Sequence, residues 1–377
     1  MSVLNFIKLP LVNMGIMKPP QDPNVPVSYL HYEPYEKEKL LRICNERKTF
    51  PILYSIEFNL ANQPSEHTFE AAQLEENIPK NRNPNVLPYD YNRVILTPDD
   101  DYPSDYINAS HISSLLAENH YIVTQGPLEE TVDDFWRMIW EQQVTCVVML
   151  TKCFDFTKKM CTQYWSGYEF GSYGSIKVLV ESVQTLANYE IRVMRVWHSA
   201  SGEHDLRSLM HFSYSEWPCY ANAFIPALMD FRRRVRQMVA KNPVIRQGKT
   251  VIHCNDGAGR SGVYVAIDAN IDMMEQKGYA NVFGYLRKLK AARNGLVETE
   301  AQLKYIYEAL EEYLICQHTW FPVNELSQRI QKYSEPKCDE FKREYQLICR
   351  LTPVYTIGDC AGSYRTENRL KNRDISV

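Results

Sequence analysis

The spacing of apolar positions changes several times along the chain, and each change predicts an element. A helix is expected from Tyr35 to about Arg47, and a second is expected to begin near Glu57-Phe58. Residues 81–90, where proline and asparagine interrupt the pattern, predict a surface loop. Strands are expected at 92–96 and 106–109. A helix from Thr131 to Gln142 would carry Phe135, Met138 and Ile139 on one face. The nearly unbroken apolar run 144–150 suits a strand covered on both faces. Further strands are expected at 174–182, 188–198 and 207–214, then a helix reaching about Ala240 with Pro226 in its first turn. A strand entering Cys254 follows, and then helices at 262–276, 281–293 and 299–315. Helices flanking a twisted, mixed sheet make this an α/β fold.

Composition narrows the function. A chain of 377 residues, 45% of them hydrophobic, can bury one large core and part of a second. A net charge of -4 gives no case for nucleic-acid binding. Arg232-Arg233-Arg234 reads as a solvated helix face. The ten cysteines are scattered and lack metal-ligand spacing, so no metal or other cofactor is expected, and a reducing environment fits them. No apolar run is long enough to span a bilayer, and the first residues do not form a signal peptide. A cytoplasmic location is expected, with the intracellular part of a membrane receptor as one form of it.

The most informative stretch is Lys249 to Gly262, which reads as strand, tight loop and helix. Successive N–H groups of the loop Asn255-Asp256-Gly257-Ala258-Gly259 would converge at a helix start and form a nest for an anion. Cys254 lies at its floor as a candidate nucleophile, and Arg260 offers a planar fork for two oxygens. Most buried cysteines are inert small hydrophobes, but this string of offsets arises by chance in roughly one case in a thousand. It points to phosphoryl transfer through sulfur.

With these residues assembled, the chain resembles the receptor-type protein tyrosine phosphatases. The resemblance rests also on Lys80-Asn81-Arg82, 85–90, 105–110, 125–128, 134–141 and 163–165. It implies a lead-in over residues 1–45, a phosphatase domain over 46–316, and a linker with the truncated start of a second phosphatase domain over 317–377. An internal echo supports the last: 79–83 recurs at 370–374, each copy downstream of a Glu-Phe pair. By family mechanism, Cys254 would attack phosphorus, and Arg260 with the loop amides would hold the oxygens of the transferring group. Ser261 would help the thiolate depart, His253 would shape its surroundings, and Glu141 would orient Arg260. Gln302 matches a glutamine of the family site, and it also reads as the end of a capping box opened by Thr299.

Four positions depart from the family pattern. The mobile loop that supplies a general acid reads Trp217-Pro218-Cys219, where the family has aspartate. A thiol of ordinary pKa about 8.5 donates its proton poorly, and losing a positioned acid typically costs ~10²–10⁴-fold. The neighbouring Glu216 would be the one local substitute. Asn83 stands where the family stacks a tyrosine on the substrate ring. Glu298 replaces the glutamine that positions the attacking water. Asp256 replaces alanine inside the nest, as in the islet-autoantigen receptor phosphatases, which are regarded as catalytically silent. If its side chain faces the pocket, it costs a bound dianion about 4 kcal/mol at 4 Å and an effective dielectric of 20. Alternatively it points outward or caps a backbone N–H.

Two readings therefore compete: a pseudophosphatase that binds phosphotyrosine or a partner protein, and a slow but genuine tyrosine phosphatase. A sulfurtransferase of the rhodanese type is disfavoured by the flanking landmarks. Expected partners are phosphotyrosine proteins or peptides, with an active phosphatase or kinase complex as a further candidate.

Overall fold

The computed structural model describes residues 30–372 apart from 156, 168–169, 219–220, 317–318, 320, 322, 335–338, 352–360 and 364. Residues 1–29 of the expected lead-in lie outside the described residues, and so does Cys219. In the rest of that lead-in Leu40, Ile43 and Cys44 are buried in the domain core, so these residues are part of the domain. Two compact units are present, residues 1–314 and 315–377.

The first unit is built on nine strands: β1 (Arg93–Ile95), β2 (Tyr106–Ile112), β3 (Tyr121–Thr124), β4 (Val144–Met149), β5 (Gly171–Tyr173), β6 (Ile176–Thr185), β7 (Tyr189–His198), β8 (Arg207–Tyr214) and β9 (Lys249–His253). Their spatial order is β1-β2-β3-β9-β4-β8-β7-β6-β5. The central pairs β3–β9, β9–β4 and β4–β8 are parallel, and the flanking pairs are antiparallel. This is the mixed sheet that the residue pattern predicts. Ile122, Val147, Val148 and Val251 are fully buried in its centre, each contributing about 1.5–3 kcal/mol by leaving water.

Helices cover both faces. α1 (Lys37–Thr49), α2 (Ile52–Ala61), α4 (Ile225–Lys241), α5 (Gly259–Lys277), α6 (Val282–Ala292) and α7 (Glu300–Cys316) pack around one apolar cluster; α3 (Val132–Glu141) packs in the other. α5 is buried along most of its length and stops at Gly278, whose φ of 76° provides the left-handed cap. Several expectations fail. Val86, Leu87 and Tyr89 of the expected surface loop are buried, and so is Arg232 of the expected solvated face. Glu57-Phe58 lies in the middle of α2, which starts after Pro51. Strand β3 was not expected, because four residues are too few to display a period.

The second unit holds α8 (Leu326–Tyr333) and α9 (Glu340–Leu351), joined by Arg329–Glu344 at 3.0 Å. A turn near its end repeats one in the first unit. Lys80 Nζ donates to Asn77 three residues back at 2.9 Å, and Asn81 Nδ2 donates to the Ala72 carbonyl nine residues back at 3.1 Å. Lys371 Nζ likewise donates to Asn368 at 2.9 Å, and Asn372 Nδ2 to the Ser363 carbonyl at 3.0 Å, with the same offsets.

Candidate active site

Strand β9 ends at the carboxyl edge of the parallel centre, where open α/β sheets place their ligands. Cys254 follows at once, and the loop to Gly259 opens α5. Gly257 has φ 70°, and a methyl group there would collide with the carbonyl of Thr124 at the end of β3. Only glycine allows the loop to turn this close to the neighbouring strand. Arg293, fully buried, fixes it from behind: its guanidinium donates to the carbonyls of Gly257 at 2.9 Å and Asp256 at 3.3 Å, and to Asn108 Oδ1 at 2.7 Å. Tying the carbonyls outward leaves the loop amides free to face inward. Burial lowers the Arg293 pKa to about 10 against the opposing charges of Tyr106, Asp256 and Cys254, so it remains a cation below the nest.

Behind the nucleophile lies a buried chain of polar groups. His253 Nδ1 is 3.1 Å from the Cys254 carbonyl, which can only accept, so that nitrogen carries the proton. His253 Nε2 then accepts from Tyr164 Oη at 2.8 Å, and Tyr164 accepts from His211 Nε2 at 2.7 Å. The His211 Nδ1 lone pair is left with no partner. Desolvation lowers the His253 pKa to about 4 and that of His211 well below its ordinary value, so both rings are neutral.

The front of the site is different. Cys254 Sγ is 3.7 Å from Asp256 Oδ1, so the aspartate faces the nucleophile. Burial raises the thiol pKa and the Asp256 charge raises it further; Ser261 and Arg260 pull it down but do not prevail. The Ser261 hydroxyl is fully buried beside the sulfur with no oxygen or nitrogen partner. Arg260 donates to the Leu150 carbonyl at 3.3 Å, to Thr151 Oγ1 at 3.4 Å and to the Pro218 carbonyl at 3.3 Å. It therefore bridges the end of β4 to the segment bearing Trp217.

A cavity of about 590 Å³ opens over Cys254, lined by Asn255, Asp256, Arg260, Trp217, Glu298 and Gln302 among the residues the sequence nominates. Asp155 and Lys158 also line it. Its ionisable walls are three carboxylates (Asp155, Asp256, Glu298) against two cations (Lys158, Arg260). That balance is poor for a dianion. The Glu298 carboxylate accepts the N–H of Gly259, where a methyl group would collide with it, and its pKa is pushed up to about 7 by burial and then by Asp256.

Two expectations need correction. Glu141 does not orient Arg260. Its carboxylate accepts from the Thr97 N–H at 2.8 Å and lies 3.9 Å from Arg137. The length of β4, roughly 20 Å at 3.3 Å per residue, separates it from the Leu150 carbonyl that Arg260 grips. Asp155, on a two-residue strand paired with Lys158–Lys159, lines both cavities beside Arg260. Nothing in its local sequence marked it. Asn83 is not among the lining residues; its side chain accepts from the Asn85 N–H at 3.0 Å in a local turn. Glu216 lines a side cavity of about 200 Å³ and sits 3.7 Å from Lys152 Nζ. Arg293 had no sequence signal at all.

Comparison with known proteins gives one consistent result. The family model for protein-tyrosine phosphatase matches residues 77–312. Receptor-type tyrosine-protein phosphatase F of Bos taurus is 39% identical over 330 residues, covering 86% of this chain and 17% of that protein. Receptor-type tyrosine-protein phosphatase alpha of Homo sapiens is 38% identical over 315 residues, covering 82% and 38%. The chain thus spans well under half the length of these relatives.

Proposed function

The chain belongs to the protein-tyrosine phosphatase family, and we propose that it acts in phosphotyrosine signalling as a domain that binds phosphotyrosine or a partner while hydrolysing it very poorly. The observation that carries this is the 3.7 Å approach of Asp256 to Cys254. A nucleophile must be a thiolate, and a carboxylate at that range opposes both the thiolate and the phosphoryl group it would attack. Cysteine at 219 in place of an acid adds a second obstacle, since the departing phenolate then lacks a proton donor. The intact nest, Arg260 and the neutral His253 chain favour retained binding.

The intact nucleophile and arginine also support the second reading, a slow phosphatase working through a Cys254 cysteinyl-phosphate. Turnover of an aryl phosphate, with Cys254→Ser as control, separates the two. Cysteine-dependent turnover within about a hundredfold of the human alpha relative overturns the first reading. Together, Cys219→Asp, Asp256→Ala and Glu298→Gln are expected to raise turnover by about two orders of magnitude or more, and each alone much less, because residues acting as a unit are non-additive.

The repeated turn at 77–81 and 368–372 supports reading residues 315–377 as the opening of a second copy of the same domain. No helix of the described residues is long and apolar enough to cross a membrane. We place the domain on the cytoplasmic side of a receptor by its likeness to the receptor-type relatives.

A further inference from the structure

Glu298 is held in place by its whole neighbourhood. Val297 before it is fully buried with φ 58°, a left-handed conformation that a β-branched residue adopts only under constraint. The constraint is visible: Lys290 Nζ donates to the Val297 carbonyl at 2.8 Å, and a methyl group on Gly262 would meet the Val297 nitrogen at 2.5 Å. The Glu298 N–H donates to Gln302 Oε1 at 2.8 Å. The carboxylate is thereby set over Gly259, taking the first N–H of α5. A helix start with inward N–H groups is where a phosphate oxygen would sit. An anion is already there, and it belongs to the protein. A second donor in the same nest, the buried Ser261 hydroxyl, is still without an oxygen or nitrogen partner.

We propose that Glu298 is an internal ligand of the nest: a tetrahedral oxyanion enters by displacing its carboxylate, and entry is coupled to uptake of a proton by that carboxylate. Glu298 then selects ligand charge, favouring singly charged oxyanions, or dianions that arrive with a proton, over bare dianions. This deepens the reading of the loop as a retained oxyanion site and rests on it.

The groups facing Glu298 are Asp256 and Arg260 from the nest and the start of α5, Lys290 from α6 and Gln302 from α7. Burial and Asp256 raise the Glu298 pKa to about 7; the Gly259 N–H, Lys290 and Arg260 oppose them. Because the value is raised, the neutral form gains as pH falls through 7. A neutral carboxyl frees the N–H and removes one negative charge, so oxyanion affinity should be highest below pH 7. Above it, coupling to one proton costs about tenfold per pH unit.

Sulfate is the probe, since its charge is constant between pH 5.5 and 8.5, and the whole chain is titrated by calorimetry. The unaltered protein is expected to bind sulfate about fivefold more weakly at pH 8 than at pH 7, because a carboxyl titrating near 7 is already half ionised at pH 7. Glu298→Gln should flatten the profile and bind at pH 8 as tightly as the unaltered protein at pH 6. Glu298→Ala, which removes the carboxylate without adding an amide donor, should flatten it too, with a far-ultraviolet melt checking the fold of each variant. A flat profile in the unaltered protein overturns the proposal, as does an unchanged slope in both variants or no binding by any form at pH 6. Sulfate is not turned over, so the outcomes stay separate. Fast aryl phosphate hydrolysis alongside a sloped sulfate profile would remove the weak-hydrolysis reading and leave this one; a flat profile without turnover would do the reverse.

Discussion

Helix α5 carries one buried aspartate, Asp268, and follows directly from another acid, Asp256, and their surroundings are opposite. Asp268 is gripped by Arg232 at 2.8 Å, by Arg236 and by the Tyr121 hydroxyl at 2.8 Å. Burial would raise its pKa, but the two guanidinium groups win and hold it well below the usual carboxylate range. Among the described residues Asp256 forms no direct ion pair: its carboxylate accepts from the thiol of Cys254, and Arg82 and Arg293 act on it only through longer-range charge. The same functional group is a structural clamp where two cations meet it and an obstacle to chemistry where a nucleophile does. Placement relative to positive charge, not burial, decides which.

Removing the clamp gives the largest expected effect. Asp268→Asn leaves Arg232 and Arg236 beside a neutral amide in a buried site, and should cost about 3–5 kcal/mol of unfolding free energy by urea denaturation. The sign with pH follows from the depressed value: the stabilisation is present above the ordinary carboxylate pKa of about 3.9 and is lost as pH falls below it. The unaltered protein should therefore weaken steeply in acid and the variant less so. An Asp268→Asn protein of unchanged stability would break the contrast at its stronger end.

Asp256→Ala tests the other end, by reactivity and not stability. Its stability should change by about 1 kcal/mol or less, since Asp256 makes no direct ion pair and buried Arg293 loses only a nearby counter-charge. The thiol pKa should fall, because the second of its raising influences is gone while Ser261 and Arg260 remain. A drop of one unit is about 1.4 kcal/mol, so alkylation of Cys254 by iodoacetamide near neutrality should speed up about tenfold. An unchanged rate-against-pH profile would mean that burial alone sets the thiol.

The sequence disclosed these regions unequally. The strand–loop–helix at Cys254 was legible because its chemistry is packed into consecutive positions, and β4 because its apolar run is long enough to carry a pattern. β3 was not, although it is buried throughout and pairs with β9. Arg293 reaches the loop from 36 residues away, and Asp155 reaches the Arg260 wall from a separate hairpin, so no local spacing could relate them. The aim of Asp256 depended on loop dihedrals that composition does not specify. Glu141 sits in a matching string but not at a matching position, because β4 carries the chain away from it.

The smallest expected effect concerns the rim. Asn83→Tyr would restore the aromatic ring that the family resemblance implies at this position, at the expense of the Asn85 N–H that Asn83 now satisfies. The stacking gain is about 0.5–1.5 kcal/mol, and a lost local hydrogen bond takes back a similar amount. Phosphotyrosine peptide affinity, measured by fluorescence anisotropy, should thus rise less than about tenfold, and less than in Asp256→Ala. The ordering matters more than either value. If Asp256 is what sets this nest apart from the neutralised Asp268 site, relieving charge at the floor must outweigh adding surface at the mouth. An Asn83→Tyr variant that gained more than Asp256→Ala would show that the nest tolerates its carboxylate as well as the arginine clamp tolerates Asp268, and that the site is shallow, not hostile.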